Sequence, residues 1–129
     1  MIWLDAIATY IQTNSLGTRG TNLFIGQLPD ISGISAVLTQ YDGSVQEVFK
    51  GGTNVEVPSL QIRVRGTRDE YVATLTRCAD IRDLLVGVTN TTVNGVNFLR
   101  IKPNGTINSL GLDENRRYQF TANFEVYLG

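Results

Sequence analysis

Histidine is absent from these 129 residues. Without an imidazole the chain can build neither a Ser-His nor a Cys-His nucleophile pair, has no histidine acid/base, and lacks the ordinary ligands of a zinc site. Cysteine occurs once, as Cys78, so no disulfide can close within the chain, which fits a reducing compartment or a fold that needs no covalent staple. Charge is scarce as well. Charged residues make up 18%, against the roughly 25% usual for soluble domains, while hydrophobic residues reach 42%. So much neutral surface points toward self-association. Nor is there a surplus of positive charge: the formal net charge is −1 and the sequence pI is near 5.3, which argues against a dedicated nucleic-acid binder with a broad positive field but leaves room for a local basic patch.

What is present fits one domain spanning residues 1–129, long enough to bury roughly two thirds of the surface its unfolded form exposes. The opening "MIWLDAIATYIQTN" has no basic leader and is interrupted by Asp5, Thr9 and Gln12, so it reads as neither a signal peptide nor a membrane span, and folding in the cytoplasm is expected. There is no internal repeat and no low-complexity tract. In that opening segment Trp3, Leu4, Ile7, Tyr10 and Ile11 recur at helical spacing, which predicts a helix ending near Asn14. "NLFIG", Asn22 to Gly26, and "ISAVLTQY", Ile34 to Tyr41, read as strands. The stretch from Asp42 to Val57 has turn-marking Gly43, Gly51 and Gly52 and a small apolar patch of Val45, Val48 and Phe49 with no settled period. It reads as a long loop or a poorly formed hairpin.

"PSLQIRVRGT", Pro58 to Thr67, predicts a strand with Leu60, Ile62 and Val64 toward a core and Gln61, Arg63 and Arg65 pointing away. It leads into "TRDE", where Thr67 and Glu70 have the spacing of a capping box that opens a helix reaching to about Val86. Tyr71, Val72, Leu75, Cys78, Ala79, Ile81 and Leu85 form its expected buried stripe, with Gly87 as a stop. Asn94-Gly95 between apolar residues predicts a tight hairpin. "PNGTINSLGLDENRR" reads as a polar loop, and "QFTANFEVYL" alternates as a final strand with Phe120, Ala122, Phe124, Val126 and Leu128 on one face. The sum is an α+β domain, a mainly antiparallel sheet with two helices packed on one face.

The order of these elements and the wording of "GTRGTNLFIGQLP", "VEVPSLQIRVRG", "IRDLLVG", the "VNG" hairpin and "LGLDENRRYQFTANFEVYL" resemble the tail-terminator and minor capsid (neck) proteins of long-tailed bacteriophages. The resemblance implies a non-enzymatic virion protein that forms a ring, typically a homo-hexamer, on the last ring of the tail tube. Such a ring ends polymerisation and joins the tail to the head at the neck. Its partners would be the tail tube protein and a head-side neck protein, with DNA passing through the lumen without specific binding. It implies no cofactor, no metal, no catalytic residue and no membrane, and assembly in the host cytoplasm. Two alternatives stand beside it: another neck or head-completion component, and a small enzyme using carboxylates such as Asp30, Asp42 or Glu56, which nothing in the sequence pairs.

Arg63 and Arg65 share one strand face, about 7 Å apart. They stand as a solvated sheet face, as a subunit interface whose guanidinium forks meet neighbouring carboxylates such as Asp113 or Glu114, or as a lining for DNA. "LDENRR" sets Asp113 and Glu114 beside Arg116 and Arg117, either a self-neutralising surface loop or a contact toward the next subunit or the tail tube. Cys78 reads as a small core residue and Trp3 as a core or interface anchor.

Overall fold

The computed structural model describes residues 2–49 and 53–129. Helix α1 (Trp3–Thr13) is followed by β1 (Leu23–Ile25), β2 (Ser35–Phe49), β3 (Thr53–Arg68), helix α2 (Tyr71–Val86), β4 (Thr89–Val93), β5 (Val96–Pro103), β6 (Asn108–Leu112) and β7 (Arg117–Leu128). The strands form one sheet in the order β1-β2-β3-β7-β5-β4, with β6 pairing β7 beside the other end of that strand from β5. Among the described strands only β1 and β2 run parallel.

The sheet is mainly antiparallel, but the helices do not lie side by side on a flat face. Helix α2 crosses β3, β7 and β5, whereas α1 touches β1 and β2 at one end of the strand order and β4 at the other. One helix can reach both ends only if the sheet curls, so the strands form a half-barrel with α1 across its opening. Both helices and the inner sheet face share a single apolar cluster that includes Ile7, Ile11, Leu38, Leu60, Ile62, Cys78, Ile81, Leu85, Phe98, Phe120 and Phe124. Trp3 is half-buried against it. Cys78 sits within it, and burial pushes its thiol up to about 11, the environment of an inert core residue.

On β7 Phe120, Ala122, Phe124 and Val126 are buried and Leu128 packs half-buried against the core, while Thr121 on the other face is buried as well, and β7 pairs β3 from Val64↔Phe120 to Glu56↔Leu128. Asn94 and Gly95 both have positive φ, 49° and 79°, and close Val93 onto Val96, the two-residue turn expected of that dipeptide. The stretch after Asp42 is a paired hairpin, continuous in register from Gln40↔Leu60 to Phe49↔Thr53 with two irregularities. Gly43 is no turn: it lies inside β2 opposite Pro58, and a Cβ there would approach the Pro58 Cα to 3.0 Å. The turn read at Gly51 and Gly52 falls outside the described residues.

Two further expectations are corrected. The Thr67–Glu70 capping box does not form, because β3 goes on pairing with β7 as far as Arg68↔Arg117, and the Asp69 amide donates to the Arg116 carbonyl at 2.9 Å. These bonds hold Thr67 in the strand; α2 begins at Tyr71 with Glu70 as its N-cap and no side-chain cap. Along α2 the buried residues are Thr74, Cys78, Ile81 and Leu85, while Tyr71 and Val72 are exposed. Val72 lies about 200° around the helix from Thr74, facing away from the sheet, and Tyr71 meets it only edge-on, in T-shaped contacts with Tyr118 and Phe120.

Candidate functional site

The outer face of β3 carries Gln61, Arg63 and Arg65 in one row. In register beside them stand Thr39, Val37 and Ser35 of β2 and Asn123, Thr121 and Gln119 of β7. This face is not a uniformly solvated surface: Ser35, Val37, Thr121 and Arg65 are all buried. The Gln61 amide nitrogen donates to Asn123 Oδ1 at 3.2 Å, bridging two strands.

Arg65 is claimed by its own chain. One of its Nη groups donates to the carbonyls of Pro29 (2.6 Å) and Ile31 (3.3 Å), in the segment between β1 and β2. Its Nε is buried without a hydrogen-bond partner. Burial, with the nearby Arg117, draws the guanidinium down from its ordinary value, and Asp30 and Asp113 oppose the shift.

Arg117, at the start of β7, fastens the same segment from the other side. Its Nε donates to Asp113 Oδ2 and one Nη to Asp30 Oδ1, both at 2.8 Å. Asp113 in turn accepts the backbone N–H groups of Asn115 and Arg117 at 2.9 Å each, an Asx-type turn that folds the β6–β7 connection around its carboxylate. Burial works against ionisation of Asp113, but the hydrogen bonds from Arg117 and Asn115 outweigh it and hold the carboxyl below its usual range. Hydrogen bonding to Asp30 first, and then to Asp113, raises Arg117.

Arg116 is paired as well. Its Nε and an Nη reach Asp69 Oδ1 at 2.9 and 2.8 Å, linking this turn to the β3–α2 junction. Of the six side chains singled out in the sequence, four are therefore consumed within the chain: Arg65, Asp113, Arg116 and Arg117. The other two make no side-chain hydrogen bond or ion pair among the described residues. Glu114 is exposed, and Arg63 is half-buried with its Nε enclosed and unpartnered. Hydropathy could not have located Asp30, Pro29 and Ile31 as partners, since they are distant in sequence and two of them act through carbonyls. The Asp-x-Asn spacing of "DEN" is the one local signal for the Asp113 turn.

An open cleft of about 310 Å³ lies beside this network, lined by Asp30, Ile31, Ser32, Gly33, Thr67, Arg68, Asn115 and Arg117. The three carboxylates considered for catalysis are not gathered in it: Asp30 is tied to Arg117, while Glu56 is exposed toward the far end of β3 and Asp42 lies in β2 opposite Ser59. Among the described residues no group of three or more His, Cys, Asp or Glu could hold a metal ion, and no helix is long and apolar enough to cross a membrane.

A family model described as "Bacteriophage tail terminator protein" matches residues 10–128. Among solved structures, the chain is similar to one in the virion of a native gene transfer agent particle, with a TM-score of 0.73 at 13% sequence identity, covering 98% of this chain and 93% of that one. At that identity the likeness is one of fold. No curated protein matches the sequence.

Proposed function

The chain belongs to the bacteriophage tail terminator family, and from that premise we propose that it is a ring-forming assembly protein of the neck that caps the tail tube. As a member of that family it is a structural component of the phage virion. In the proposed role the whole chain acts as one unit, and copies of it, six to a ring, sit on the last ring of tube protein. There they end its polymerisation and offer a surface to the head-side neck protein, with DNA passing through the lumen unread. No catalytic step belongs to this role.

The observation that carries this reading is the family match, which spans all but the first nine residues and the last of the chain and so includes every strand of the sheet. The low share of charged residues agrees with a surface largely covered by other subunits. The test is tail length. Phage lacking this gene should produce tails of uncontrolled, excessive length that fail to join heads, seen by electron microscopy of lysates, and supplying the gene in trans should restore a single length. Tails of normal, uniform length without it would overturn the proposal. Native mass spectrometry of the protein, free and on purified tubes, should show six copies.

A further inference from the structure

We propose that Arg63 on the outer face of β3 receives the carboxylate of Glu114 from a second copy of the chain, in a head-to-tail contact repeated from copy to copy. This rests on the ring reading and names the contact that would close it.

At one end of the sheet most of the arginines are compensated within the chain. Arg117 is compensated twice, by Asp30 and Asp113, and Arg116 is compensated by Asp69. Arg65 has two carbonyls. Arg63, two residues along the same face, has nothing: its Nε is sealed against the protein without an acceptor, and neither Nη takes part in a hydrogen bond or ion pair among the described residues. The Arg63 Nη groups are not among the enclosed atoms, which leaves open the fork that a carboxylate grips with both oxygens. A partly desolvated cation without an acceptor marks a place where a partner supplies the anion.

The matching anion is the one acid of the β6–β7 turn left over from its internal pairing. Asp113 is consumed by Arg117, and the turn is stiffened by the Asp113 hydrogen bonds to Asn115 and Arg117 and by the Asp69–Arg116 linkage. Glu114 therefore projects from a tip whose backbone is already ordered, so engaging it costs little conformational entropy. Of the other exposed acids among the described residues, Asp80 and Asp83 share a helix with Arg77 and Arg82, Glu56 lies within β3 and Glu70 stands at the start of α2, so none projects from the tip of a hydrogen-bonded turn as Glu114 does. Because Arg63 and Glu114 are different patches of one chain, a contact between copies uses each once and leaves the other free for the next copy, the heterologous geometry that generates closed rings.

The test is a charge exchange in the full-length chain, read as assembly by sedimentation velocity and native mass spectrometry. Arg63→Glu and Glu114→Arg should each weaken assembly by at least about tenfold, and the double variant should return to within about threefold of the wild type. Singles that assemble normally, or a double that is weaker still, would overturn the contact. Should Arg63→Glu prove unfolded by circular dichroism, Glu114→Arg on the exposed turn still has to lower assembly. A second variant, Arg63→Cys with Glu114→Cys, treated with a bismaleimide whose two ends add to thiols without an oxidant and whose spacer of about 10 Å covers the reach of a long ion pair that a disulfide cannot span, should give a ladder of cross-linked multimers beyond dimer on a denaturing gel, with buried Cys78 taking no part. Wild-type assembly with no ladder sinks the contact alone, whereas wild-type chains that neither multimerise nor bind tail tubes sink the ring reading beneath it.

Discussion

The two faces of β3 obey different rules, though they alternate residue by residue along one strand. On the inner face Leu60, Ile62 and Val64 are completely enclosed, and Gly66 continues their line. On the outer face Gln61, Arg63 and Arg65 differ from one another: Gln61 bridges to β7, Arg65 is locked to a neighbouring segment, and Arg63 is unsatisfied. The inner face is set by volume, where every position is constrained in much the same way. The outer face is set by pairing, where each residue's role depends on which acceptors the chain happens to bring near. Stability should therefore be concentrated on the first face and the capacity for contact on the second.

The largest blow to that contrast falls at Gly66. A Cβ there would stand 1.7 Å from Thr74 Oγ1 and 2.9 Å from Thr74 Cβ, so no rotamer of Thr74 relieves it and α2 must lift from β3. Gly66→Ala should cost about 3 kcal/mol, lowering the thermal midpoint by about 10 °C in differential scanning calorimetry. Arg63→Gln, only three residues away on the opposite face, should stay within about 0.5 kcal/mol of the wild type. Equal losses from the two would show that the faces do not divide the work as described.

An intermediate effect is expected where the outer face is internally paired. Asp113→Asn keeps the shape of the turn and its backbone acceptor but removes the charge facing Arg117, at a cost of about 1.5 kcal/mol near neutral pH. The folded chain binds a proton at Asp113 less readily than the unfolded chain does. The contribution of the carboxylate is therefore present above the ordinary carboxyl pKa of about 3.9 and is lost as pH falls below it toward the depressed folded value. Urea melts of both proteins should show the gap between them closing below about pH 4. A gap that persists unchanged in acid would mean that Asp113 acts through shape alone.

How much of this could be read from residues follows the same division. The inner face was legible: period-two alternation marked β7 and the inner side of β3, and three- and four-residue spacing marked both helices, because burial selects residue type directly. Strand β6 was hidden within "INSLGL", where an exposed five-residue edge strand carries no buried stripe. The apparent capping box at Thr67 failed because long-range pairing with β7 overrode a local preference. For the outer face, sequence could place Arg63 and Arg65 on the same side but could not separate them, since the Pro29 and Ile31 carbonyls that claim Arg65 belong to a segment whose path only the fold decides.

The smallest effect separates backbone from side chain in the turn that carries Glu114. Arg116 adopts a left-handed conformation, φ 60°, and its backbone is fixed at both ends, the N–H to Asp113 O at 3.1 Å and the carbonyl to the Asp69 N–H at 2.9 Å. Its ion pair with Asp69 is more than half exposed on both sides, so Arg116→Ala should cost less than about 0.5 kcal/mol, and less again in high salt. Alanine inherits the same backbone strain as arginine. Glycine does not, and should recover about 0.5 to 1 kcal/mol of that strain after its own entropic cost. Arg116→Gly should thus melt higher than Arg116→Ala although both lack the ion pair. The reverse order of melting would mean that the left-handed backbone at residue 116 costs less than glycine's own loss of conformational freedom.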